Sequence, residues 1–259
     1  MYKFLLRPKW IAFHLLVAAL VIVMINLGFW QIRRLHQREA FNTLVRNNTN
    51  QPVVPISSVL TSGVDTGAVE WRRVEVTGTY LPAKEITVVN RSQGGDAGRN
   101  VVDPLRLADG SLLLVNRGFV PGLQAIPAAP TGQVTLMGQL RDSEVRRLGQ
   151  PSDASGVLLT EVRRIDISKL TPQMGAPVAP MYLQLLASNP PQGDIPQAVE
   201  PPELDNGPHL SYAVQWFVFS SFALVGWVMA VRYSVATRSG KPRKKRRTPP
   251  PIADELSRV

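Results

Sequence analysis

The chain is 259 residues long, carries a formal net charge of +10 and contains no cysteine. The absence of thiols excludes disulfides, thiolate metal sites, CxxC redox chemistry and cysteine nucleophiles. With three histidines (His14, His36 and His209) and no HExxH, GxSxG or Gly-rich phosphate loop, the common hydrolase arrangements fail on inventory.

A short N-terminal tail (1–9) holds Lys3, Arg7 and Lys9. It leads into an apolar run from Trp10 to Trp30 without Asp, Glu, Lys or Arg, long enough at 1.5 Å per residue to cross the ~30 Å hydrocarbon core of a bilayer. A buried helix of a soluble protein usually shows a polar stripe, whereas here His14 and Asn26 stand alone between bracketing tryptophans. The run is too long for a signal-peptide h-region, and bulky INLGFWQIRR follows where a small-residue cleavage site belongs, so it reads as an uncleaved anchor.

The helical pattern continues through QIRRLHQREAFNTLVRNN to Asn47–Asn48, and residues 51–68, with Pro52 and Pro55, read as an irregular connector. Six β-rich runs follow, at 71–80, 85–91, 100–107, 111–119, 134–141 and 157–165. Asp109-Gly110 between two apolar runs predicts a tight hairpin, and a second pairing is expected between VTGTY and EITVV across Leu81–Lys84. A short helix fits 165–175 and a last strand fits 180–188. These elements predict an integral membrane protein in which two transmembrane α-helices flank a mostly antiparallel β domain (31–188, with its helical extension), closed as a small barrel or a sandwich with one or two short helices.

Six prolines make 189–208 an extended linker into a second apolar helix, 209–232, with a basic tail at 233–259. The tail's KPRKKRR run lacks aromatic interleaving, so it reads as a topology and anionic-lipid signal and not as a nucleic-acid site. Residues 31–211 hold 17 basic and 17 acidic side chains, leaving the whole positive excess on the two ends. By the positive-inside rule both termini are cytoplasmic and the middle domain is extracytoplasmic, as in a multi-pass protein of a bacterial plasma membrane. Small residues Ala18, Ala19, Gly28 and Gly226 are candidates for close helix packing in lipid.

A Ser–Lys dyad is the one nucleophilic device the middle domain permits, yet Lys84 sits in a polar turn and Lys169 on an amphipathic helix, neither desolvated as a base requires. Polar chemistry gathers instead at the helix ends. Helical spacing puts Trp30, Arg33 and Gln37 on one face with Asn26, and His209, Tyr212, Ala213 and Trp216 on another. A neutral histidine among arginines suits haem iron with its propionates, while an ordinary interfacial cluster of Trp, Tyr, His and Arg has the same composition. Asn116-Arg117-Gly118 at a strand end reads either as a bulge capping the barrel or as a partner or propionate contact through Arg117.

LGFWQIRRL (27–35), LLLVNRGFVP (112–121), VTLMGQLR (134–141) and HLSYAVQWF (209–217), in this order, resemble the successive motifs of the Surfeit locus protein 1 family over residues 10–232. The resemblance implies a non-enzymatic assembly factor for haem–copper cytochrome c oxidase, acting as the catalytic subunit receives its haem, with a larger respiratory supercomplex as a further partner. It suggests haem a as cofactor and His209 as its candidate ligand. It maps the family motifs onto Trp30, Gln31 and Arg34, then Asn116, Arg117, Gly118 and Phe119, then Tyr212, Ala213 and Trp216. His36-Gln37-Arg38 stands where the family commonly has a Trp-Lys pair. A scaffold that binds the oxidase without haem, and more remotely a tethered Ser–Lys protease, are the competing expectations.

Overall fold

A computed structural model describes residues 3–153 and 157–238, so the KPRKKRR run lies outside the described residues. The chain divides into two units, one formed by its two ends (up to Gln37 and from Asn206) and one by Arg38–Asp205.

The first unit is helical. Helix α1 (Pro8–Thr49) contributes its residues up to 37 here, and α4 (His209–Arg238) follows the other end of the chain. Both are long and apolar enough to cross a membrane, and both leave most of their apolar side chains exposed. Three of their isolated polar groups are satisfied within the helix: Asn26 donates to the Ile22 carbonyl, and Ser220 and Ser221 to that of Phe217.

The second unit is the β domain. Its strands are β1 (Val54–Pro55), β2 (Arg73–Tyr80), β3 (Ile86–Gln93), β4 (Asp96–Arg106), β5 (Leu112–Pro121), β6 (Gln133–Arg141), β7 (Glu161–Val162) and β8 (Tyr182–Asn189). They join in the order β1-β2-β6-β8-β5-β4-β3-β7. A short pairing of Thr79 and Tyr80 with Arg106 and Leu105 brings β2 back onto β4, which closes a five-strand circuit, and the barrel alternative is the one realised. Most pairings are antiparallel; β1–β2, β3–β7 and β5–β8 are parallel.

Strand β5 explains why the barrel has two cores. Its LLLV run is buried on both faces: Leu113 and Val115 join Val76, Leu136, Leu140 and Leu183 in one cluster, while Leu112 and Leu114 join Ile86, Val102, Ile165 and Leu170 in another. A continuous apolar run is the signature of a strand covered on both sides. The second cluster is roofed by α3 (Ile167–Met174), whose Ile167, Leu170 and Met174 recur at helical spacing on its buried face. The short helix α2 (Thr66–Val69) starts on Asp65, whose carboxylate accepts from the Gly67 N–H.

The Asp109-Gly110 turn forms as expected, with Leu107 N–H bonded to the Ser111 carbonyl and Gly110 at φ +83°. The hairpin expected across Leu81–Lys84 does not form. β2 pairs along its length with β6, a 3₁₀ turn at Pro82–Lys84 carries the chain away, and β3 forms its hairpin with β4 through Gly94-Gly95. Of the run at 157–165 only Glu161 and Val162 pair, and residues 154–156 lie outside the described ones.

The proline-rich segment after β8 is extended, and it packs on the β domain up to Asp205. Phe119 and Gln197 exchange backbone hydrogen bonds at 2.7 and 2.8 Å. Farther along, Gln93 donates to the Ala198 carbonyl and accepts from the Glu200 N–H. Its end is clasped by a ladder on the last turns of α1: Arg38, Asn42 and Arg46 donate to the carbonyls of Glu203, Asp205 and Leu204.

Candidate functional site

The motif residues are shared between the two units. In the helical unit, the small-residue face that lets α1 and α4 meet centres on Gly28. A Cβ built there would stand 2.7 Å from Cζ of Phe217, so any other residue would force that ring to move. Val21 and Gln31 on α1 and Ala213 and Ser220 on α4 are the other buried positions of this seam. The remaining expected packing residues lie outside it: Ala18 and Ala19 are exposed, and nothing lies within 4 Å of a Cβ at Gly226.

Both ends of the seam carry a histidine. At one end Trp227 Nε1 donates to His14 Nδ1 at 2.8 Å; an indole N–H only donates, so the His14 proton resides on Nε2. At the other, His209 Nδ1 lies 2.8 Å from Gln31 Oε1. An amide oxygen only accepts, so this contact puts a proton on His209 Nδ1, and in the neutral ring the lone pair is then on Nε2. As neutral rings the two are opposite tautomers.

Gln31, and not Trp30, turns inward at this end. Trp30 is exposed, with the Arg34 guanidinium 5.7 Å from its ring centre, and Arg34 also donates to Gln37 Oε1. Tyr212 is exposed, Trp216 half-buried and Ala213 buried, so the face drawn from helical spacing through His209, Tyr212, Ala213 and Trp216 is split by its surroundings. His209 itself is half-buried, with Gly207 (φ +63°) beside its Cδ2–Nε2 edge. One imidazole oriented through Nδ1 is of the type that could ligate haem iron through Nε2, and exposed Arg33 and Arg34 on α1 are of the type that could pair its propionates. Among the described residues no group of three or more His, Asp or Glu converges.

In the β unit the Asn-Arg-Gly-Phe motif builds a sealed centre. A bulge between Val101 and Val102 leaves Arg117 as the extra residue of β5 and turns it inward. Its guanidinium donates to Asp103 Oδ2 at 3.0 Å, to Gln192 Oε1 at 3.2 Å and to the Ala128 carbonyl at 3.3 Å, and it stands 5.9 Å from the ring centre of Tyr80. Neither Arg117 nor Asp103 has exposed side-chain surface. A partner or propionate contact through Arg117 is therefore not what this position provides: the charge is spent inside the barrel.

Gln192 also donates to the Arg117 and Pro196 carbonyls, and the Asn116 side chain accepts from the Gly118 N–H. Gly118 itself has φ +140°, and a Cβ on it would fall 2.1 Å from the Gln197 carbonyl oxygen. Burial raises the Asp103 carboxyl above the usual carboxylate range, with Arg117 opposing it. Burial and the Asp103 charge raise Glu85 as well, and burial raises the Tyr80 hydroxyl. Lys84 donates to the Gln173 and Met174 carbonyls at the end of α3, and Lys169 is exposed; no serine is among the described partners of either.

Asp103 and Gln192 were not anticipated. Asp103 did carry a signal, as the one acid in NVVDPLRL, two residues from Leu105 on the same face of a strand. A lone carboxylate among core positions requires a buried cation, and Arg117 is the one base in LLLVNRGFVP. Gln192 lies in a proline-rich stretch whose composition gives no hint of a docked side chain.

The sequence profile described as SURF1 family matches residues 18–221. The chain is 32% identical over 257 residues to SURF1-like proteins of Mycobacterium bovis and Mycobacterium tuberculosis, covering 96% of this chain and 92% of theirs. A SURF1-like protein of Monosiga brevicollis is also 32% identical, over 89% of both chains. Surfeit locus protein 1 of Takifugu rubripes is 29% identical over 168 residues, covering 56% of this chain and 66% of its own.

Proposed function

The chain belongs to the SURF1 family, known as cytochrome oxidase assembly factors, and on that premise we propose that it is a membrane-anchored, non-enzymatic assembly factor for haem–copper cytochrome c oxidase. It acts beside the catalytic subunit while that subunit acquires haem a. Its two apolar helices anchor it in the plasma membrane of a bacterium, with both termini cytoplasmic and the β domain outside, in keeping with the concentration of positive charge on the two ends.

The observation that carries the haem part of this reading is the His209–Gln31 contact, which leaves a ring nitrogen at the head of α4 with its lone pair available. When bound, haem a would supply electron-transfer chemistry to the oxidase that receives it. His209 would hold the iron through Nε2, and Arg33 and Arg34 would pair the propionates.

The test is purification in mild detergent from cells expressing the oxidase, with subunit identification and an optical spectrum. The expected result is an oxidase subunit together with a haem a spectrum that disappears in His209→Ala. An oxidase subunit without haem reduces the protein to a scaffold, and recovery of neither overturns the reading.

A further inference from the structure

We infer that Gln31 is a positioning residue for His209: its side-chain oxygen holds the ring proton on Nδ1, so that Nε2 is presented as the ligand atom. This rests on the reading of His209 as a haem ligand and adds what makes the ring competent for that task.

Three observations converge on it. Gln31 is 9% exposed on a helix whose other side chains at this level, Trp30, Arg33 and Arg34, are exposed. Burying an amide costs free energy unless it is hydrogen-bonded, and its described side-chain partner is His209. The opposite edge of the ring is bordered by glycine: a Cβ on Gly207 would sit 3.4 Å from Cδ2 and 3.5 Å from Nε2, in contact with the edge that must stay open. Finally, the His14 ring at the other end of the seam receives the reverse arrangement: Trp227 donates to its Nδ1, so the ring's own proton is on Nε2, which is then no ligand atom. The same helix pair therefore makes one histidine available and silences the other through the identity of its partner. An amide oxygen does the first and an indole N–H the second.

The experiment uses the full chain in detergent with ¹⁵N-labelled histidine, at about pH 8.5, where an ordinary imidazole is neutral. Couplings from the ring nitrogens to the carbon-bound protons read the tautomer, with the three rings assigned by single replacement. The expected result is an Nδ1-protonated His209 in the wild type and in Gln31→Glu, which keeps an acceptor, and a tautomer mixture in Gln31→Leu. In parallel, titration with haemin should show affinity retained in Gln31→Glu and weakened roughly 10–100-fold in Gln31→Leu, the usual effect of losing the group that orients a ligating histidine.

An Nε2-protonated His209 in the wild type, or a tautomer unmoved by Gln31→Leu, overturns the inference. Equal haemin affinity for wild type and His209→Ala overturns the ligand reading instead. The tautomer readout tells that failure apart from a failure of Gln31 to set the ring.

Discussion

The Arg117 guanidinium donates to the Asp103 carboxylate at 3.0 Å in a place where neither side chain reaches solvent. An ion pair of this kind sits between two large opposing quantities. Removing both charges from water is costly, and the attraction between them together with the bonds to Gln192 and the Ala128 carbonyl offsets that cost. The arrangement stabilises the barrel only while it is complete.

Breaking it from one side is accordingly the severe change. Arg117→Met or Asp103→Leu should destabilise the protein by about 3–5 kcal/mol, because each leaves an uncompensated buried charge. The double variant Asp103→Leu with Arg117→Met should recover most of that loss. Thermal melts of the four proteins in one detergent form the cycle, and equal losses in the single and double variants would contradict the buried pair.

Glu85 offers a pH-dependent test. Its carboxyl is raised by burial and then by the Asp103 charge, so the folded state binds its proton more tightly than the unfolded chain does. Ionised Glu85 thus costs stability above its folded value, and the cost disappears as pH falls below the ordinary carboxylate range, where both states are protonated. Glu85→Gln should melt at a higher temperature than the wild type at neutral pH, with the gap closing below about pH 4. A gap that widens towards acid would reverse the assigned direction.

Gly118 tests the seating of the proline-rich segment. A methyl group there would meet the Gln197 carbonyl at 2.1 Å on a backbone at φ +140°, so the segment must lift or β5 must shift. Gly118→Ala should lose about 1–3 kcal/mol, the cost of holding a side chain in a sparsely populated backbone region, and should open residues 190–200 to protease. Gly63→Ala, also at positive φ but with nothing within 4 Å of its Cβ, is the control that leaves this cleavage unchanged.

The membrane arrangement is accessible because the chain has no cysteine of its own. Leu123 is 94% exposed in the β domain and Leu6 is 74% exposed before the first apolar run. Leu123→Cys should react with an impermeant maleimide on intact spheroplasts, and Leu6→Cys only after permeabilisation. The reverse pattern would invert the proposed orientation.

The elements that chain composition determines locally were legible: two apolar helices, the alternating strands, the Asp109-Gly110 turn and the amphipathic turn ended by Gly175. What escaped were relationships between distant segments. The hairpin expected across Leu81–Lys84 rested on sequence proximity, whereas β2 finds its partner in β6, more than 50 residues on, because that pairing buries Val74 and Val76 against Leu136 and Leu140. The proline-rich segment reads as extended with or without a surface to lie on, and nothing in its composition announces that Gln192 and Gln197 dock on Arg117 and Phe119. Helical spacing placed Trp30 on the working face, but the close approach at Gly28 decides which side of α1 turns to α4, and that side carries Gln31.

The two histidine contacts have one more consequence. Between apolar helices in lipid, hydrocarbon side chains pack against acyl chains about as well as against each other, so they choose no particular longitudinal setting. Here Trp227–His14 and Gln31–His209 mark the two ends of the seam, with the Phe217 ring lodged at Gly28 between them. Sliding α4 by a single turn, about 5.4 Å, would break both hydrogen bonds together and press Phe217 onto a bulkier neighbour. The pair works as a ruler read at both ends, and the height of His209 along α1 is the length it measures.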